Sequence, residues 1–412
     1  MTDPVAAFLN QAGGPDGPLL RLGVAVSGGS DSTALLILAS DWAKTTGTDL
    51  ICFTVDHGLR PEADEEARQV AALCASFDIP HETLRWTGWD GQGNVQDAAR
   101  RARYALLAKA ARDAGCAAVA LGHTRDDQAE TFLMRLARGS GVDGLSAMRA
   151  DWRADGMRWL RPLLTETREG LRAMLRDRGP LWIEDPSNSD PRFDRVKMRQ
   201  ALQDLAALGL DADRLAGTAQ AMGTARAALA HLAHKSAKEI CQVEAGDVVI
   251  DPDPYWDLPQ ETRERIIAEG IRFVSSTPYR PRLASLRRSL VAARDGQSSN
   301  LQGCLIHPHR SGLRVIREPS AVAGLTVTPG QIWDGRWRIE SGLDGEIRAL
   351  GEGLTQIKDW RDTGLPRQTL LSSPALWAGK RLLAAPLVEK SDKCRILMQP
   401  SLTEFLTSLL SH

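Results

Sequence analysis

Residues 24–38 read Val-Ala-Val-Ser-Gly-Gly-Ser-Asp-Ser-Thr-Ala-Leu-Leu-Ile-Leu. A short apolar run meets Ser27-Gly28-Gly29-Ser30-Asp31-Ser32, and an apolar run of helical character follows at once. Strand, tight glycine turn and helix together point free backbone N–H groups at an anion. The same residues also suit an ordinary strand-to-helix connection, with Gly28-Gly29 as the turn and Ser30 or Asp31 as the cap. The hexad is neither a Walker A loop, since no lysine follows Gly29 at the required distance, nor G-x-G-x-x-G. Two glycines let the backbone close on a phosphate, and three hydroxyls add donors. Asp31 belongs beside phosphates only if a cation sits between them. Mg2+ binds through one or two carboxylates plus phosphate oxygens, so Asp31 is the expected Mg2+ ligand.

Four other groups carry chemistry. Asp56-His57 and Gly122-His123 each close a strand-like run. Two histidines with no third ligand do not make a metal site, and a place near a bound nucleotide suits them better. His123 also reads as a strand-end residue bonded to backbone. Asp127 and Glu130 are three apart on an expected helix and share a face. Thr124-Arg125-Asp126-Asp127 reads equally as a capping box. Arg100, Arg101 and Arg103 line a helix whose default is a solvated basic face. Arg138 precedes Gly139-Ser140-Gly141 at a helix end, and Arg192, Arg195, Lys197 and Arg199 follow the acidic stretch 184–190. Such basic residues position nucleic acid through its phosphates without reading sequence.

The elements that must hold these groups alternate regularly. Strands are expected at 22–27, 50–56, 81–86 and 116–123, and helices at 32–46, 62–78, 95–115 and 125–138. That order argues for an α/β fold, a doubly wound and mostly parallel sheet with helices on both faces. Ligands in such sheets bind beyond the carboxyl ends of the strands, where the hexad and both histidines fall. A helix is expected at 167–179, alanine-rich helix at 196–240, a mixed region from 241 to 320, and a smaller β-rich region beyond 325.

With 412 residues, 43% of them hydrophobic, the chain suits two or three domains. A formal net charge of -1 confines any nucleic-acid surface to a local patch. There is no cationic segment followed by an apolar one to act as a secretory signal, and no apolar run approaches a membrane span. The six cysteines are far apart and form no C-x-x-C. A soluble cytoplasmic protein is expected.

S-G-G-x-D-S after the first strand resembles the pyrophosphate loop of the N-type ATP pyrophosphatases (the PP-loop superfamily). Residues 55–67, 120–148 and 161–199 are similar to the tRNA(Ile)-lysidine synthetases within it. The similarity is close over 20–200 and thins to short matches such as 312–319. Thr124 stands where that family usually has a second histidine, and Arg195-Val196-Lys197-Met198-Arg199 where it often has Arg-Asn-x-x-Arg.

The resemblance implies ATP-dependent adenylation of the 2-carbonyl oxygen of a wobble cytidine in an isoleucine tRNA. The ε-amine of free L-lysine then displaces AMP. It implies that Ser27, Gly28, Gly29, Ser30, Asp31, Ser32, Asp56, His57, Gly122 and His123 surround ATP and that Asp31 holds Mg2+. Asp127 and Glu130 grip lysine, and with Asp31 and Arg103 they complete the catalytic set. Arg138, Arg192, Arg195, Lys197 and Arg199 contact tRNA. Residues 1–215 form the pyrophosphatase domain, 216–320 a mixed middle domain for tRNA, and 321–412 a β-rich region that also meets tRNA. A homodimer is left open. The rivals are a tRNA thiolase of the same superfamily, which needs a reactive or cluster-ligating cysteine, and a non-enzymatic module that binds ATP and RNA.

Overall fold

A computed structural model describes residues 4–13, 17–58, 63–87, 95–184, 194–389 and 394–410. The chain divides into two compact units, Met1–Arg226 and Ala227–His412.

In the first unit α1 (Pro4–Ala12) precedes β1 (Arg21–Ala25), α2 (Ser30–Thr46), β2 (Asp49–Asp56), α3 (Ala63–Ser76), β3 (His81–Arg85), α4 (Val95–Asp113) and β4 (Ala118–Leu121). Then come α5 (Arg125–Ala137), α6 (Val142–Leu145), β5 (Asp151–Ala154), β6 (Met157–Leu160), α7 (Arg168–Arg178), α8 (Asp194–Ala206) and α9 (Ala212–Ile240). The six strands run β3-β2-β1-β4-β6-β5, all parallel except β5. This is the doubly wound sheet expected from the alternation.

Burial explains the sequence pattern. Every residue of β4 is buried, as is the middle of β1, because helices cover both faces of the sheet. α2 is apolar almost all round and is correspondingly sunk in the core, with Leu35, Leu36 and Ile37 sealed from water. Gly47, at φ 72°, ends it in a left-handed cap. Strand order reverses between β1 and β4, so the loops after these two strands flank the crevice where such sheets bind ligands.

Two features go beyond the sequence expectation. Residues 151–160 form a hairpin, turned by Asp155 and Gly156 at φ 54° and 69°. The alanine-rich stretch is two helices, α8 and α9, separated at Gly209 with φ 77°.

The second unit begins within α9, from Ala227, and continues with β7 (Cys241–Glu244), β8 (Asp247–Ile250), α10 (Pro252–Asp257), α11 (Gln260–Ser275), α12 (Leu283–Arg294), β9 (Ser299–Leu301), β10 (Cys304–His309) and β11 (Gly312–Arg317). These strands form an antiparallel sheet ordered β7-β8-β11-β10-β9. Ile266, Ile267 and Ile271 of α11 share a core with Val248 and Val315 of the sheet. Residues 326–398 add a four-stranded and a three-stranded sheet, the expected β-rich region. Phe405 and Leu409, from the helix Leu402–Leu410, return to the core of the five-stranded sheet.

Asp247 of that unit is buried, only 2% exposed. Its Oδ2 accepts from Thr369 Oγ1 at 2.5 Å and from Arg314 Nη1 at 3.2 Å. Burial nevertheless pushes its carboxyl up to about 7, against the pull of Thr369 and Arg314. Among the described residues no helix is long and apolar enough to cross a membrane.

Candidate active site

The hexad lies between β1 and α2. Gly28 takes φ 86°, a left-handed conformation that favours glycine. A Cβ there would also sit 2.4 Å from Ile183 Cδ1, since Ile183 N donates to Gly28 O at 2.8 Å. Gly29 is the N-cap of α2, with no side-chain cap on the helix N–H groups. Ser32 Oγ accepts from Ser27 N at 3.1 Å and donates to Gly29 O at 3.1 Å. The loop is thus held by its own hydroxyl at the head of a helix, the arrangement that suits an anion. Gly122, after β4, comes close behind: a Cβ there would meet Ser32 Cα and N at 3.0 Å.

Asp31 takes no part in the bonds of the Ser32 hydroxyl. Its Oδ1 accepts from Ser30 Oγ at 3.0 Å, and its Oδ2 accepts from Arg168 Nε at 3.1 Å. Arg168 is a residue that the sequence reading did not single out. It is the first residue of α7, capped by Thr167, and its backbone N donates to Asp126 Oδ2 at 2.7 Å. Its guanidinium also reaches Asp127 Oδ1 at 3.3 Å and Glu130 Oε1 at 3.5 Å. One cation therefore joins the glycine loop to Asp127 and Glu130 of α5. Burial would lower its pKa, but Asp127, Asp31 and Glu130 outweigh that and raise it. Arg172, one turn along α7, donates to Ser30 Oγ at 3.4 Å and was also missed.

Asp127 forms the capping box and keeps one oxygen outside it. Thr124 is the N-cap of α5 and the capping box is complete. Asp127 Oδ2 accepts from Thr124 N at 2.8 Å and Thr124 Oγ1 at 2.9 Å, which leaves Oδ1 for Arg168. Glu130 is 1% exposed. Its Oε1 also accepts from Arg199 Nε at 2.9 Å, while its Oε2 is buried with no partner among the described residues.

A second cluster gathers where β2, β4 and β6 end. His123 is buried, and its Nδ1 accepts from Arg161 Nε at 3.2 Å. Burial, then Arg161, Arg103, Arg195 and Arg100, hold its pKa well below the usual histidine value. Burial and Arg103 also lower that of His57, whose Nδ1 is buried without a partner among the described residues. Arg103 Nε is likewise buried without one among them. Asp56 Oδ1 instead caps its own turn, accepting from Gly58 N at 2.8 Å. Arg101 pairs with Asp97 on the exposed face of α4.

The expected tRNA residues are more dispersed. Arg138 is the exposed C-cap of α5, and Arg195 and Lys197 are exposed on α8. Arg199, on the same helix, is turned to Glu130. Arg192 lies outside the described residues. All six cysteines are free and buried. Burial raises Cys116 to about 11 and Cys241 and Cys304 to about 12.

Set against known proteins, residues 5–206 match the PP-loop domain family. The tRNA(Ile)-lysidine synthase of Ruegeria pomeroyi is 46% identical over 96% of this chain and 95% of its own. That of Wolbachia pipientis is 32% identical over 95% of each. Among solved structures, the U34-tRNA thiolase NcsA from Methanococcus maripaludis with its [4Fe-4S] cluster aligns with a TM-score of 0.45. It is 16% identical, over 53% of this chain and 78% of that one.

Proposed function

As the chain belongs to the tRNA(Ile)-lysidine synthase family, ATP-dependent ligases built on a PP-loop domain, we propose that it makes lysidine in two steps on one site. The 2-carbonyl oxygen of the wobble cytidine of an isoleucine tRNA attacks the α-phosphorus of ATP, and pyrophosphate leaves. The neutral ε-amine of free lysine then attacks the activated carbon, loses its proton, and AMP departs. The carbonyl oxygen is a very poor leaving group by itself. Esterified to AMP it leaves as a phosphate monoester, the general logic of covalent activation.

The observation that carries this reading is the guanidinium of Arg168. It bridges the glycine loop's Asp31 with Asp127 and Glu130 of α5. A reaction between ATP and an amino acid requires an anion cradle and a cation grip side by side, and the span of this one arginine supports that reading. Ser27–Ser32 cradle the leaving phosphates with backbone N–H groups and hydroxyls. Asp56, His57, Gly122 and His123 surround the nucleotide, and Arg103 offers its unpartnered Nε to it. A single carboxylate beside phosphate donors fits an ion that arrives with its nucleotide, so Asp31 would hold Mg2+. When bound, that ion offsets the charge that develops on pyrophosphate. Asp127 Oδ1 and Glu130 Oε2 accept an ammonium of lysine.

Arg138, Arg195 and Lys197 position tRNA through its phosphates, with Arg192 and Arg199 beside them on the chain. Residues 1–215 act as the catalytic domain, and 216–320 and 321–412 as tRNA-contacting regions. The cytoplasm, where ATP, lysine and tRNA meet, is the natural place for the reaction, and the chemistry calls for no second subunit. The burial of all six cysteines speaks against sulfur transfer, which needs an accessible thiolate.

The test is incubation with ATP, labelled lysine and total tRNA, followed by nuclease digestion. Label on a cytidine-derived nucleoside is expected, together with lysine-independent pyrophosphate release. Asp31→Ala should abolish both while leaving the melting transition intact. Label that never enters the RNA would reject the reading.

A further inference from the structure

Arg161 is 6% exposed, yet it makes no ion pair with any carboxylate among the described residues. A buried cation without a counter-charge is costly, and apolar side chains usually replace it without loss. Its surroundings show what it is kept for. The guanidinium lies 3.8 Å from the ring centre of Trp152, which offers it a π face. Trp152 is itself stacked on Trp159 at 6.1 Å. Nη1 donates to Arg149 O at 2.6 Å, which fixes the plane of the fork. Nε is then aimed at His123 Nδ1, 3.2 Å away.

A guanidinium carries only donors and keeps them at every working pH. The nitrogen that faces Nε must therefore present a lone pair, and the ring proton must sit on the other nitrogen. His123 Nε2 has no hydrogen-bond partner among the described residues and is not sealed off as a buried orphan. His123 directly follows Gly122, which packs on Ser32 of the glycine loop.

We propose that Arg161 is a positioning residue that locks His123 in the Nε2–H tautomer, so that the site holds a permanent neutral donor at the carboxyl end of β4. The ligand atom it serves is an anionic oxygen of the phosphate class. That last assignment rests on the function proposed above; the tautomer does not.

The groups acting on His123 are all cationic. Arg100 and Arg103 come from α4, Arg195 from α8 and Arg161 from the segment after β6. Tyr104, between Trp159 and the arginines, faces Arg161 rather than the histidine. In this company an imidazolium would add a fifth positive charge. A neutral imidazole donates to an anion without that repulsion, and a ring fixed in the wrong tautomer would present a lone pair to it.

The experiment is long-range proton–nitrogen correlation NMR on the full chain labelled in its 8 histidines. His123→Gln identifies the resonances. Protonated Nε2 and bare Nδ1 are expected, unchanged from about pH 8 to about pH 5.5, while exposed histidines titrate near 6.5. A proton on Nδ1, or titration along with the others, would overturn the proposal. Arg161→Met should give tautomer-averaged signals. Its rate of pyrophosphate release should fall by roughly tenfold or more, with the KM for lysine unmoved. Arg161→Lys should recover part of the rate, because one amine can donate along the same line. A folded Arg161→Met protein with the wild-type spectrum would remove Arg161 from the role. If that variant does not fold, the wild-type spectrum and the lysine variant still decide. A correct tautomer in a protein that never labels tRNA would leave the device standing and sink the proposed reaction.

Discussion

Glu130 gives one oxygen to Arg199 and Arg168 and keeps the other, Oε2, buried with no donor. An unsatisfied buried acceptor costs about 1–3 kcal/mol, more when it is charged. A ligand ammonium that fills it recovers that cost on binding. Glu130→Gln keeps the shape and removes the charge. Adenylation of tRNA is expected to continue, while lysine transfer weakens by roughly 10- to 100-fold, the worth of one charge-assisted hydrogen bond. Single-turnover assays that follow pyrophosphate and labelled lysine separately would show the split, and equal loss of both steps would take Glu130 out of the lysine grip. Asp127 and Glu130 were legible because three residues on a helix fix two side chains on one face. Arg168 and Arg161 were not. Their partners lie 38 residues away in sequence in each case, Glu130 for Arg168 and His123 for Arg161. Only the fold closes such distances, and an arginine after a helix cap or beside a proline has no local pattern that marks it as functional.

At the scale of the element, α5 has to deliver its acids to one point, and its first turn is pinned by the capping box of Thr124 and Asp127. Thr124→Val removes the hydroxyl and nearly keeps the volume. It should cost about 1 kcal/mol, and Thr124→Ser only a fraction of that. In a unit of this size the valine variant should melt roughly 2–4 °C lower. Its KM for lysine should rise as well, because Asp127 Oδ2 loses a donor that holds the carboxylate still. An unchanged melting point would mean that the box contributes nothing. The parallel core of the sheet was readable from its alternation of apolar runs and amphipathic helices. The β5–β6 hairpin was passed over, although Asp155-Gly156 between two tryptophan-bearing runs is a strong local signal for one. Arginines at Arg153 and Arg158 break the apolar pattern there. α8 and α9 read as one helix because alanine-rich sequence has high propensity throughout, and the single Gly209 that separates them is a weak stop without a proline.

Across the whole molecule, pH acts on the second unit through Asp247. Its folded pKa, raised to about 7, lies above the ordinary carboxylate value, so the native state holds this proton more tightly than the unfolded chain does. The stability it contributes is full below about pH 4 and is lost as pH rises through about 7. Urea midpoints measured across that window should fall for the wild type more than for Asp247→Asn, which has no proton to lose. Parallel curves would place the pH dependence elsewhere. Arg168 has a different consequence, one of thermodynamic linkage. In the proposed reaction one guanidinium neutralises carboxylates that belong to two binding events. An ammonium arriving at Asp127 and Glu130 competes for the charges that hold this cation, and so releases it toward the phosphates at the glycine loop. Occupancy of either pocket then changes the affinity of the other, and by the same factor in both directions. Calorimetric titration of ATP with and without lysine, and of lysine with and without ATP, should give matching ratios above one. Arg168→Met should bring both ratios to unity, and ratios unchanged in that variant would show that the two pockets communicate by another route.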